Sequence, residues 1–299
     1  FYHSFIESHK RRFKILIIQI TGGLGNQMFQ YAYALALSNQ GYDVKICSDY
    51  FNRYKLREYD LEHYNINLDM IGKGNINSIC KNNIFRKMVK KLGFSLTGEI
   101  EEKDFFYDQS LLQPKDNNCI YGNFQSEKYF INIRNILIKE FTLKRNISDY
   151  GKIVKDEINK SSCSCSLHIR RGDYLTNSVV NKVHGVLGLD YYKKAIKLLE
   201  EKQGDVQYFI FSDDIQWAKE NLNIEKSFFV DDQKERTPNE DVYLMSLCNH
   251  NIIANSTFSW WGAWLNDNDK KVVISPKQWF MDKKINNNTF DLIPSIWIR

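Results

Sequence analysis

Residues 13–20 read FKILIIQI, an apolar run of strand length broken only by Lys14 and Gln19, and residues 21–27, TGGLGNQ, follow at once. A strand with no polar alternation needs cover on both faces. That is the condition of the centre of a parallel sheet, not of a sheet with one wet face. Residues 28–39, MFQYAYALALSN, read as a helix apolar nearly all round, with Gly41 available just past its end. A second strand is expected at 42–47. The chain therefore opens as a βαβ unit, and an open parallel α/β fold follows from it.

Such a fold needs enough apolar residues to cover both faces of a sheet. The chain has 299 residues, 43% hydrophobic and 14% aromatic, which suffices for two packed cores and excludes a disordered or fibrous protein. A net charge of +5 suits anionic small substrates or an acidic membrane surface but is too weak to argue for nucleic acid. The six cysteines, at 47, 80, 119, 163, 165 and 248, form no CxxC pair and show no ligand spacing with histidine. They read as reduced core residues of a cytosolic protein. No run approaches the roughly 20 apolar residues that span a bilayer. The opening FYHSFIESHKRR lacks the apolar core and cleavage site of a signal peptide. The expected location is cytoplasmic, peripheral to the inner face of a membrane at most.

The glycine turn has the look of a nucleotide loop, with Gly23 and Gly25 in place but Met28 where a third glycine belongs. Asp49 is the nearest acidic residue beyond the second strand. A tight turn that lets backbone pass close to the helix accounts for the glycines equally well. From 51 to 121 the pattern loosens. Residues 81–92, KNNIFRKMVKKL, form a basic amphipathic helix candidate, read first as a solvated face and second as a membrane-surface helix. The aromatics of 121–130, YGNFQSEKYF, suit either a sugar site or plain core.

Residues 163–174, CSCSLHIRRGDY, carry the second organising feature: a short strand ending in Arg170, Arg171, Gly172 and Asp173. Arginine offers a permanently charged planar fork suited to phosphate oxygens, and Asp173 can brace it. Taken alone, the same residues fit a strand end with a surface ion pair. After a polar loop at 175–189 the alternation resumes. A helix is expected at 191–202, a strand at 207–211 ending in Ser212, Asp213 and Asp214, and a strand at 228–230. A helix at 240–248 and a strand at 251–254 follow, the latter ending in Asn255, Ser256, Thr257, Phe258 and Ser259 before WWGAWL. Three polar strand ends along one edge of a parallel sheet make a binding edge. Two arginines and a helix N-terminus suit a pyrophosphate, and a carboxylate suits the amine and ring NH of guanine.

HIRRGDY at 168–174, GGLGNQMFQYA at 22–32, HGVLGLDYY at 184–192, FSDD at 211–214 and NSTFSWWGAWL at 255–265 together resemble family 11 glycosyltransferases, the α-1,2-fucosyltransferases. The H-x-R-R-x-D block is shared more widely among fucosyltransferases, whereas the second and last blocks point to the α-1,2 group. The resemblance implies an α/β, GT-B-like fold: two Rossmann-like doubly wound domains, 1–155 on the acceptor side and 156–299 binding GDP-fucose, facing a central cleft. It implies inverting transfer to a β-galactoside-terminated oligosaccharide, free or lipid-linked, with no metal and no other cofactor. Arg170 would bind the β-phosphate and stabilise the leaving GDP, with Arg171 beside it. His168 would seat the nucleotide, and Asp213 or Asp214 would read guanine, Asp214 slightly preferred. Asn255, Ser256, Thr257, Phe258 and Ser259 would cradle phosphate and base, while Gly23, Asn26 and Gln27 face the reaction from the other domain.

The base that takes the acceptor proton is the least defined role. Asn26 and Gln27 cannot accept a proton at neutral pH, and an arginine-bound Asp173 would be a poor base. His184, in the loop after the arginines, and a dissociative transition state with no dedicated base are the two readings left. The rival functions are another GDP-fucose-dependent linkage and a non-catalytic sugar-nucleotide module.

Overall fold

In the computed structural model, described over residues 15–52, 57–71, 98–115, 118–172, 178–231 and 234–299, the opening apolar run forms β1 (Ile15–Gln19), buried up to Gln19. The expected basic helix at 81–92 and Asp173 lie outside the described residues. β2 (Asp43–Cys47), β3 (Gly98–Glu101) and β4 (Asn118–Tyr121) complete a four-stranded parallel sheet in the order β2-β1-β4-β3. The second sheet holds β5 (Ser164–Ile169), β6 (Gln207–Ser212), β7 (Ser227–Phe229), β8 (His250–Ile252) and β9 (Val273–Ile274). It is also parallel, in the order β7-β6-β5-β8-β9. All six residues of β5 are buried, as a central strand covered on both faces requires. The architecture is α/β: two parallel-sheet units facing a cleft, as the resemblance implies.

Helix α1 (Leu24–Asn39) joins β1 to β2 and begins four residues before the apolar pattern suggests. Gly25, Asn26 and Gln27 are its first turn and not a free loop. The amides of Asn26 and Gln27 both donate to the Gly23 carbonyl, at 2.9 and 3.1 Å. Helix α2 (Arg134–Glu140) follows the first sheet, and α3 (Asp149–Lys160) opens the second half. Ser148 caps α3 by accepting from the Gly151 amide at 3.0 Å. Val154 and Ile158 of α3 pack with Phe209, Phe211 and Leu244, so the boundary expected at 155 falls inside a helix that belongs to the second core. The loop expected at 175–189 contains a helix, α4 (Ser178–His184). Beyond it come α5 (Leu189–Gln203), α6 (Ile215–Asn221), α7 (Pro238–Leu247) and α8 (Thr257–Leu265).

Helix α8 follows a strand of the second sheet yet packs into the core of the first. Trp260 and Trp261 are fully buried, with ring centroids 4.4 and 5.0 Å from Phe29 of α1. Burial of an indole is worth on the order of 4 kcal/mol by area. Their ring N–H groups also find acceptors: Trp261 donates to the Gly25 carbonyl at 3.0 Å and Trp260 to the Leu292 carbonyl at 2.9 Å.

Three of the four aromatics of 121–130 belong to this core. Phe124 stacks on Tyr33 at 3.8 Å, and Tyr129 and Phe130 are buried. Cys47, Cys163, Cys165 and Cys248 are free thiols. Cys119 is disulfide-bonded, which corrects the expectation that every cysteine is reduced.

Candidate active site

The carboxyl ends of β5, β6 and β8 are neighbours in the second sheet, and the N-terminus of α1 faces them across a cavity of about 670 Å³. β5 and β6 run in register with Ile169 opposite Ser212, which brings the residues beyond them side by side. Arg170 Nη1 meets Asp213 Oδ2 at 2.9 Å, and the Arg171 amide donates to Asp213 Oδ1 at 2.8 Å. Gly172 makes this approach possible, because a Cβ there would stand 2.8 Å from Asp213 Oδ2. The carboxylate thus holds Arg170 at the cavity wall, the bracing task expected of Asp173.

Arg171 and Asp214 turn away from the cavity. The Arg171 guanidinium lies over the Trp217 ring at 3.7 Å, and its Nε donates to Asp214 Oδ2 at 3.3 Å. Asp214 Oδ1 caps α6 by accepting from the Trp217 amide at 3.2 Å. Neither lines the cavity, so of the two expected arginines and two expected aspartates the structure places Arg170 and Asp213 there. His168 does line it, 4% exposed, with Nδ1 buried and unpartnered. Burial, followed by the nearby Arg170 charge, lowers its pKa to about 3, so the ring is neutral at physiological pH.

At the end of β8, Ser256 caps α8 by accepting from the Phe258 amide at 3.3 Å. Thr257 Oγ1 donates to Asn26 Oδ1 at 3.0 Å, and Gln125 Nε2 donates to the same oxygen at 3.1 Å. Asn26 lines the cavity with its side-chain carbonyl so occupied. The N-termini of α1 and α8 meet here, and neither first turn carries an acidic residue, so their positive dipole ends add. Gly25 is the contact: a Cβ on it would stand 2.5 Å from the Thr257 carbonyl carbon. Gly23, Ser256, Thr257 and Phe258 line the cavity.

Asn255 also lines it, with Nδ2 donating to the carbonyls of His184 and Trp279 at 2.9 and 3.2 Å. His184 lines the cavity and packs against Phe280 at 5.0 Å. Ser259 is buried in α8, its hydroxyl donating to the Ser256 carbonyl at 3.3 Å, and does not reach the cavity. Gln27 is likewise consumed. Its Nε2 donates to the carbonyls of Gly22 and Glu58 at 3.0 and 2.8 Å, and its Oε1 accepts from the Asp60 amide at 3.0 Å.

Several cavity residues carry no motif. Asp60, Lys234, Arg236 and Asp241 reach the cavity from stretches whose sequence is unremarkable, while Asn123 and Gln125 reach it from the 121–130 stretch. Asp60 is notable among them because burial raises its pKa to about 6. Among the described residues no group of three His, Cys, Asp or Glu side chains is arranged to hold a metal ion.

The family model for glycosyl transferase family 11 matches residues 2–293. The chain belongs to glycosyltransferase family 11. An O-antigen biosynthesis glycosyltransferase of Escherichia coli, WbnK, is 35% identical, with 93% of this chain and 98% of the relative covered. An α-1,2-colitosyltransferase of the same species is also 35% identical over 95% and 98% of the two chains. Human galactoside α-(1,2)-fucosyltransferase 1 is 27% identical over 47% of this chain and 41% of its own. Among solved structures, fucosyltransferase NodZ from Bradyrhizobium superposes with a TM-score of 0.49 at 12% identity, covering 83% of this chain and 92% of that one. As a family 11 member the chain is a glycosyltransferase, and its cavity lies between the two α/β units. No helix among the described residues is long and apolar enough to cross a membrane.

Proposed function

We propose that this family 11 glycosyltransferase is an inverting galactoside α-1,2-fucosyltransferase. It would move L-fucose from GDP-β-L-fucose to the 2-hydroxyl of a terminal β-galactoside, as in an O-antigen repeat unit. The observation that carries the reading is Arg170, held by Asp213 at the end of β5 and facing the joined N-termini of α1 and α8. A diphosphate laid there meets a guanidinium and helix amides, all cationic or positively polarised. As the bond from fucosyl C1 to the β-phosphate oxygen breaks, charge grows on that oxygen, and a preorganised cation stabilises the transition state more than the ground state. His168, neutral and short of a partner at Nδ1, is placed to bond the nucleotide. Of the two FSDD carboxylates, Asp213 is the one at the cavity, where its oxygens hold Arg170 and the Arg171 amide. The cationic provision is the chain's own, so the transfer is proposed to need no metal. A lipid-linked acceptor would be met at the inner face of the cytoplasmic membrane.

The relative named as an α-1,2-colitosyltransferase supports a second donor reading. Colitose is L-fucose without its 3-hydroxyl, so the two donors share the GDP and the anomeric centre and differ in one hydrogen-bonding group. Competition settles the choice: GDP-fucose and GDP-colitose are offered together with an array of β-galactosides, and the product linkage is read by NMR. An α-1,2-fucosyl product in excess is expected. An excess of colitosyl product replaces the donor, a β-linked product removes inversion, and no transfer from either donor overturns the reading.

A further inference from the structure

We propose that Asp60 is the general base that takes the proton of the acceptor hydroxyl, an inference that rests on the transferase reading above. Three carboxylates line the cavity among the described residues: Asp60, Asp213 and Asp241. Asp213 is bound by Arg170 and Asp241 by Arg236. The Arg170 guanidinium and the Arg171 amide take both Asp213 oxygens, and Arg236 takes both of Asp241. Burial holds Asp241 above the usual carboxylate range, but its lone pairs are occupied. Asp60 forms no ion pair among the described residues. It also reaches the cavity from the first half of the chain, whereas Arg170 reaches it from the second. Inverting transfer requires that opposition, with acceptor and base on one face of the sugar and the leaving diphosphate on the other.

The Asp60 backbone is pinned from both halves. Its amide donates to Gln27 Oε1 of α1 at 3.0 Å, and its carbonyl accepts from Asn239 Nδ2 of α7 at 3.1 Å. Gln27 is thus spent on holding the segment that carries the base. In the step itself, the Asp60 carboxylate removes the 2-hydroxyl proton and the freed oxygen bonds to C1 of the fucosyl group. The bond from C1 to the β-phosphate oxygen breaks, and its electron pair leaves on GDP beside Arg170.

The carboxyl titrates near neutrality, at about 6, because burial raises it most. Glu58 and Glu62 raise it further, while His63 and Arg57 lower it. Across the cavity the charged or titratable neighbours are His168, Arg170 with Asp213, Arg236 with Asp241, Lys234, and His184. Asp60 is therefore ionised and competent above about pH 6 and protonated below it.

The test is Asp60→Asn, which keeps shape and removes basicity. General-base catalysis contributes roughly a hundred- to ten-thousandfold. A fall of about a thousandfold in kcat is expected, with loss of the acidic limb of the kcat/KM profile and GDP affinity within about twofold of wild type. His184→Gln is the second arm and is expected to keep the acidic limb. Retention of more than about a tenth of wild-type kcat in Asp60→Asn overturns the proposal. Disappearance of the limb in His184→Gln overturns it too, and that measurement does not depend on how Asp60→Asn folds. A wild-type protein that transfers from neither GDP-fucose nor GDP-colitose removes the transferase reading itself. An active wild type with an equally active Asp60→Asn removes only the base.

Discussion

Asp213 shows how one carboxylate can organise a site without doing its chemistry: both oxygens are committed, one to the Arg170 guanidinium and one to the Arg171 amide. Arg170 is thereby oriented as a fork and not only as a charge. Arg170→Lys keeps the charge and loses the fork, and is expected to cost about a hundredfold in kcat, as oxyanion-type donors do. Near-normal turnover in that variant would rule out the clamp. Two other cavity residues couple stability to pH in opposite directions. Burial raises Asp60 from 3.8 to about 6. Its stabilising share is therefore complete below about pH 4 and is lost as pH rises through 6. His168 is lowered from 6.5 to about 3, so its share is complete above 6.5 and is lost as pH falls toward 3. The Tm advantage of Asp60→Asn over wild type should accordingly grow between pH 4 and 6 and then level off. A difference that does not change with pH would mean that Asp60 is not buried as described. The arginines and aspartates were legible from sequence as a cluster, but their pairing was not. RRGD and FSDD lie about forty residues apart, and only the register of β5 against β6 decides which carboxylate meets which guanidinium.

At the scale of elements, the decisive contact is between the first turns of α1 and α8. Gly25 leaves room for Thr257, the Gly25 carbonyl accepts from Trp261, and Asn26 accepts from Thr257. One junction thus joins the two halves and aims two helix N-termini at one cavity. Trp261→Ala removes a fully buried indole and the bond to Gly25, and is expected to cost about 3–5 kcal/mol of stability. The measurement is chemical denaturation with and without GDP. A loss below about 1 kcal/mol would mean that the junction is dispensable. β1, α1 and β6 were legible because they are dominated by apolar residues, and β5 because Cys163, Cys165, Leu167 and Ile169 alternate with polar ones. β3 and β4, four residues each, were not, since runs that short carry too little pattern. The helix inside the 175–189 loop was missed because it is only seven residues long and three of them are valines, weak helix formers.

Across the whole molecule the two sheets are tied by a core that includes β1, α1 and α8 together with Trp279, Leu292 and Trp297. The charge that a diphosphate needs comes from both sides of the cavity, from Arg170 and from the helix ends. Full activity is therefore expected in excess chelator, with kcat unchanged within about twofold, since each tenfold loss corresponds to about 1.4 kcal/mol of lost transition-state stabilisation. Activity abolished by chelation and restored by magnesium or manganese would place a metal in the mechanism.

The sequence by itself determined the local elements and the chemical character of the strand ends. Both follow from short-range physics: an apolar run seeks cover on both faces, a glycine permits close approach, and two adjacent arginines attract an anion. Tertiary structure alone decided which polar groups are spent on one another and which face the cavity. Asp214 caps a helix and Gln27 clamps a segment, while Asp60, in a stretch with no motif, stands at the cavity wall. Burial and partnership are properties of the packed chain, and they separate a structural carboxylate from one free to take a proton.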